Sequence, residues 1–212
     1  MQGQALGLSD TKLQNNKMTK VMTRKSGNRL KGHDYSQPNY YYITTCTENR
    51  REWFGKIYNN EMILNRCGEI CQEKLLGLPK RHNTIEIDTY KIMPNHVHAI
   101  IIINKNDGLL SNGQALGLSL HNQHISLSKI MRDFKSFSCR EINKIMCRDK
   151  AKPCPIRFKW QRSFYDHIIR NDKSLNNIRK YIVNNPATWA EDEENINCIT
   201  NQSSEFLPAP AS

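Results

Sequence analysis

Residues 85–103 constrain this chain more tightly than any other segment. Ile85, Ile87, Thr89, Lys91 and Met93 alternate with Glu86, Asp88, Tyr90 and Ile92, and a period of two marks a strand. Pro94-Asn95 supplies a turn, and His96 to Ile103 follows as a second strand, apolar from Val97 onward. Strands joined by so short a turn pair as an antiparallel hairpin. The fold is therefore built around a sheet. On its second strand, positions 96 and 98 share a face, so two imidazoles point the same way from the strand's start.

The remaining elements can be placed around that hairpin. Tyr40 to Thr47 is aromatic and β-branched and predicts a strand. Leu64 to Leu78 carries apolar residues near helical spacing and ends at a Gly-Leu-Pro break. Ser126 to Met146 predicts a helix with Ile130, Phe134, Phe137 and Ile142 on its apolar side, and Phe158 to Ile169 a partly aromatic strand. A last helix, capped by Asp172 or Ser174, runs to Asn184 or Asn185 and stops before Pro186. The order strand, helix, strand, strand, helix, strand, helix fits an α+β domain: a ferredoxin-like antiparallel sheet with helices on one face.

The chain's 212 residues suit one domain with extended ends. Its net charge is +11, unevenly distributed: residues 1–186 hold 31 basic against 15 acidic side chains, a net +16. Such a charge favours encounter with polyanions. Lys17 to Lys31 contains six basic residues and no acid, and suits either a solvated tail or an arm on nucleic-acid phosphates. Seven cysteines without regular spacing predict reduced thiols. No stretch is long and apolar enough for a membrane span, and the polar N-terminus lacks a secretory core, so the expected location is cytoplasmic. Gly113 to Ser119 repeats Gly3 to Ser9 without change, and two copies define no solenoid.

Two imidazoles from one strand can share a divalent cation, leaving it open positions for phosphate oxygens. The turn before them would fix their ring directions. Far down the chain, Tyr181 and Asn185 stand four apart and so share a helix face. Tyr181 lies at the margin of an apolar stripe of Leu175, Ile178 and Ile182, where the ring packs and the hydroxyl stays free. Asn185 suits either a C-terminal cap or a metal ligand. Phenolate leaves more readily than an alkoxide, so a phosphotyrosine bond made on DNA can be reversed by a free 3′-hydroxyl.

Pro94-Asn95-His96-Val97-His98 resembles the histidine–hydrophobic–histidine motif of HUH single-strand endonucleases. Trp160 to Arg170, followed by Tyr181 to Pro186, resembles the C-terminal half of the REP-associated tyrosine transposases, of the single-tyrosine transposase superfamily. The resemblance covers about residues 37–190. It implies a metal-dependent enzyme that cuts and rejoins single-stranded, hairpin-forming DNA near REP-like repeats. His96, His98 and Asn185 would hold magnesium or manganese, and Tyr181 would be the nucleophile that forms a 5′-phosphotyrosine intermediate. Tyr165 is a competing tyrosine; Tyr181 is preferred because it stands one turn before an amide on a helix.

Candidate DNA contacts are Arg24, Lys25, Arg29, Lys31, Lys150, Lys152, Arg157, Trp160, Arg162 and Arg170, with Trp160 either stacking on a base or packed in the core. Residues 1–36 are then a basic arm, 37–190 the catalytic domain with a loop insertion at about 104–123, and 191–212 an acidic flexible tail. Monomer and homodimer both fit. Two rival functions are a hairpin-binding protein without cleavage and a metal-dependent nuclease that uses water.

Overall fold

The computed structural model describes residues 30, 32–105, 125–147 and 156–195. Its elements run β1 (Asn39–Cys46), β2 (Gly55–Tyr58), β3 (Glu61–Leu64), α1 (Arg66–Leu76), α2 (Leu78–Arg81), β4 (Ile85–Ile92), β5 (His96–Ile103), α3 (Leu127–Met146), β6 (Tyr165–Ile169) and α4 (Asp172–Asn184). Short 3-10 segments lie at Glu48–Arg50 and Asn185–Glu191. The main sheet has the order β4-β5-β1-β6 with every pairing antiparallel. That is the ferredoxin-like order, in which β1 and β4 flank β5.

Burial alternates along the strands and divides the helices between two faces. Tyr41, Ile43, Val97, Ala99, Ile101 and Ile103 face the large core, with Ile70, Leu75, Ile130, Met131 and Phe134 from α1 and α3. Tyr42 and Ile100 face a small second core with Leu175, Ile178 and Ile182 of α4. The expectation of helices on one face therefore needs correcting. The two crossover helices share a face, whereas α4 follows the edge strand β6 and packs on the other.

Local chemistry explains most boundaries. The Asn65 side chain caps α1 by accepting from the N–H groups of Cys67 and Gly68, and Ser126 caps α3. Asn171 caps α4, rather than Asp172 or Ser174, by accepting from Ser174 N. The hairpin of β2 and β3 turns through Asn59 and Asn60, both left-handed at φ 49 and 62°. Two asparagines in a two-residue loop suit that turn, but the apolar pattern of residues 48–63 is too weak to declare the strands. Gly68 is required by close approach: a Cβ there would lie 2.2 Å from the Phe54 carbonyl oxygen.

Two boundaries and one strand register differ from the sequence expectation. The segment 158–169 is strand only from Tyr165; before it, Trp160 makes an isolated bridge to Thr47. The domain also begins before residue 37, since Tyr35 is buried in the large core and its carbonyl accepts from Leu127 N. On β4 a bulge sets Asp88 and Thr89 against Ile100, between the pairs Ile87↔Ile101 and Tyr90↔Ala99. The strict alternation read from the sequence thus breaks there. Tyr90 and Ile92, not Thr89 and Lys91, continue the face of Ile85 and Ile87 into the large core.

Among the described residues, Cys46, Cys67, Cys71 and Cys139 are free thiols, and no helix is long and apolar enough to cross a membrane. The repeated Gly-Gln-Ala-Leu-Gly-Leu-Ser segments, most of the N-terminal arm, most of the loop insertion and residues 196–212 lie outside the described residues.

Candidate metal and tyrosine centre

His96 and His98 open β5 on the small-core face, as the pleat requires, and both are buried. Their Nε2 atoms stand 2.9 Å apart. Each ring is held through its other nitrogen. His96 Nδ1 lies 2.8 Å from Asn95 Oδ1, while His98 Nδ1 lies 2.8 Å from the Tyr42 hydroxyl and 2.9 Å from Thr44 Oγ1. Asn95 is fixed in turn, since its Nδ2 donates to the Arg50 and Glu194 carbonyls. Outer contacts of this kind set the direction of a ligating imidazole. Burial, reinforced by the Arg50 charge, pushes His96 down to about 3. Burial and the neighbouring His96 push His98 well below its usual range. Both rings are therefore neutral at physiological pH, the form in which imidazole binds metal.

Asp192 completes the cluster. Its carboxylate lies 4.0 Å from His96 Nε2, and ligand atoms of His96, His98 and Asp192 all fall within 4.8 Å of one another. Asp192 accepts from Asn185 Nδ2 at 3.0 Å and from Glu194 N at 2.7 Å. Asn185 Oδ1 is then left buried without a hydrogen-bond partner. An orphaned buried acceptor is uncommon and calls for an occupant. Two neutral nitrogens, one carboxylate and one amide oxygen form a mixed nitrogen–oxygen donor set that suits a divalent cation.

Tyr181 stands beside this cluster on α4. Its ring meets His98 edge-on at 5.4 Å between centroids and Tyr42 at 6.4 Å. Burial raises its pKa most, followed by the charges of Asp192, Glu193 and Glu194, while the Asn185 amide works in the opposite direction. The phenol is thus held protonated by the same acids that would attract a cation. Tyr165 sits at the start of β6, 6.1 Å from Tyr42 between ring centroids.

The structure brings together His96, His98, Tyr181 and Asn185 within one chain. It corrects the expectation that residues from 191 form a flexible tail. Asp192 and Asn195 are buried, and Glu194 pairs with Arg50 at 2.9 Å and accepts from Cys46 Sγ at 3.3 Å. Sequence reasoning missed Asp192 because it stands in the acidic run 191–194, where composition marks no one residue. Arg24, Lys25, Arg29, Lys31, Lys150 and Lys152 lie outside the described residues. Arg157, Arg162 and Arg170 are exposed, and Arg162 lines a groove with Glu48, Asn49, Arg50, Trp160 and Gln161. The Trp160 ring is committed to packing, 5.2–5.5 Å from Phe158, Phe54 and Phe134, with its Nε1 donating to Ser138.

Comparison with known proteins finds transposases among those similar to this chain. Residues 118–185 match the family described as "Transposase IS200 like". An uncharacterized protein of Haemophilus influenzae is 34% identical over 169 residues, which are 78% of this chain and 89% of that protein. A second H. influenzae relative, which bears the name of a REP-associated tyrosine transposase, is 26% identical over 156 residues, 72% of this chain and 73% of that one. A solved REP-associated tyrosine transposase bound to a REP hairpin superposes with a TM-score of 0.49 at 17% identity, covering 79% of this chain and 76% of that one. Over residues 118–185 the chain is thus similar to the IS200-like transposases, and a relative that bears the name of a REP-associated tyrosine transposase is among the proteins it resembles.

Proposed function

We propose that this protein cuts and rejoins single-stranded DNA beside hairpin-forming, REP-like repeats, with Tyr181 as its nucleophile. The observation that carries the proposal is the phenol of Tyr181 edge-on to His98 in the same chain, next to a buried donor set with an unpartnered amide oxygen. In the reaction the Tyr181 oxygen attacks the scissile phosphorus and the P–O3′ bond breaks. A 5′-phosphotyrosine and a free 3′-hydroxyl result. Attack by a 3′-hydroxyl on that phosphotyrosine reverses the chemistry and returns the phenol its proton, so the phosphodiester count is conserved.

His96, His98, Asp192 and Asn185 would hold magnesium or manganese. When bound, such an ion polarises the phosphate and offsets the acidic field around the phenol. The chain's own residues do the rest. Asn95, Tyr42 and Thr44 orient the imidazoles, and the packing of α4 on the sheet holds the phenol over them. The exposed Arg157, Arg162 and Arg170 would contact phosphates.

The test is incubation of the protein with labelled single-stranded hairpin oligonucleotides and manganese, followed by denaturing electrophoresis. Covalent adducts are expected from the wild type and none from Tyr181→Phe or His96→Ala. Hairpin binding without adducts would leave only a binding protein. Cleavage that persists in Tyr181→Phe and fails in His96→Ala would assign the attack to water.

A further inference from the structure

The small core that holds α4 is thin. Leu175, Ile178 and Ile182 are its only buried residues from the helix, set against Tyr42, Ile100 and Ile169. The apolar stripe sets which face of the helix meets the sheet but resists small rotations only weakly, because apolar attraction is non-directional. A directional contact lies on the opposite flank from the tyrosine. Arg179 donates from Nε and from a terminal nitrogen to the two carboxylate oxygens of Asp88, making a two-point ion pair. The Asp88 side chain is 13% exposed and that of Arg179 39%. Arg179 and Tyr181 lie about 160° apart around the helix, with the apolar stripe on the arc between them. Rotation that draws Arg179 off Asp88 therefore swings Tyr181 across His98.

The sheet is also shaped for this contact. The β4 bulge inserts one extra residue at Asp88-Thr89, and bulges re-aim side chains. Thr89 Oγ1 donates to Asp88 Oδ2 at 2.9 Å and steadies the carboxylate. We infer that Asp88 and Arg179 are a positioning pair that sets the rotation of the tyrosine helix and so holds the Tyr181 phenol over its own chain's imidazoles. The inference rests on the proposed role of Tyr181, but its test does not require that role.

The test places 3-fluorotyrosine at position 181 of the full chain and records its fluorine resonance without metal. The rings of His98 and Tyr42 should displace that resonance from the value of the free amino acid. Arg179→Gln and Asp88→Asn are expected to move it toward the free value. Arg179→Lys, which keeps the charge but not the two-point contact, should give a smaller movement. The exchanged pair, Asp88→Arg with Arg179→Asp, should restore it.

In parallel, the single-turnover rate of adduct formation should fall about 100-fold in Arg179→Gln, the scale of a small displacement of a reacting group. Hairpin affinity should stay unchanged. A wild-type resonance in folded Arg179→Gln overturns the inference, as does failure of the folded exchanged pair to restore it. Should Arg179→Gln not fold, Arg179→Lys decides by the same criterion. Absence of adducts from the wild type would instead strike the proposed reaction and leave the fluorine result to judge the positioning pair.

Discussion

Replacing Asp192 by asparagine separates the metal-binding role of this residue from any role in folding. The substitution preserves shape and removes one negative charge 4.0 Å from His96 Nε2. A divalent cation about 4 Å from that charge, at an effective dielectric near 20, interacts with it by about 8 kcal/mol, much of it offset by desolvation. The asparagine oxygen remains as a neutral donor and recovers part of that. A loss of about 2.7 kcal/mol, or a hundredfold in manganese affinity, is expected. Without metal the change should be neutral or stabilising, because Asp192 lies among acids: it and Glu194 both raise the pKa of Glu193. Manganese at about 100 times the wild-type dissociation constant stabilises the wild type by about 2.7 kcal/mol. For a domain of this size that raises Tm by about 5–11 °C. The same concentration should raise Tm of Asp192→Asn by only about 1–2 °C. Thermal melts with and without manganese measure both numbers. A full manganese shift in Asp192→Asn would refute the assignment of Asp192 to the cluster.

Two further outcomes follow from the same geometry. His96 is held down to about 3, while in the unfolded chain it protonates near 6.5, so the unfolded state binds the extra proton between those values. Metal-free stability should therefore fall as pH drops from about 6.5 toward 3, by about 1.4 kcal/mol per pH unit for His96 alone. Denaturant titrations in chelator should show this slope, and a slope unchanged in His96→Gln would contradict it. Asn95→Ala removes the partner of His96 Nδ1 and leaves the Arg50 and Glu194 carbonyls without their donor. It should weaken manganese binding by about 10–100-fold and cost about 1–3 kcal/mol of stability; calorimetry that finds wild-type affinity would remove Asn95 from the site.

The sheet and three long helices were legible because each has a clean period and a capping or breaking residue near its end. The imidazole pair was legible for the same reason, since alternation alone puts 96 and 98 on one face. What escaped was non-local. The β4 bulge re-phases Tyr90 and Ile92, and no pattern within eight residues announces one extra residue on a strand. Asp192 and Glu194 carry charge like their neighbours and gain their roles only by folding back onto Asn95, Asn185 and Arg50 across about a hundred residues or more in two of those contacts. Trp160 was open between core and DNA, and its packing follows from Ser138 and Phe134 on α3, which sequence spacing cannot align with it.

The proton arrangement around the two imidazoles explains why their surroundings are polar in an otherwise apolar sheet. Asn95 Nδ2 is engaged by two carbonyls, so only its oxygen faces His96, and His96 must carry its proton on Nδ1. Its Nε2 is then a bare acceptor, and His98 Nε2 at 2.9 Å must donate to it. His98 Nδ1 in turn accepts from Tyr42, whose hydroxyl accepts from Thr44. Every polar hydrogen in this chain of contacts has a partner without metal. To offer both Nε2 atoms to a cation, His98 must instead carry its proton on Nδ1, where Thr44 Oγ1 at 2.9 Å can accept it. Tyr42 and Thr44 together supply a partner for either tautomer, because a hydroxyl both donates and accepts. Apolar residues at both positions would leave His98 Nδ1 without a partner in either tautomer, which accounts for hydroxyl side chains where β1 could otherwise have filled the space with isoleucine.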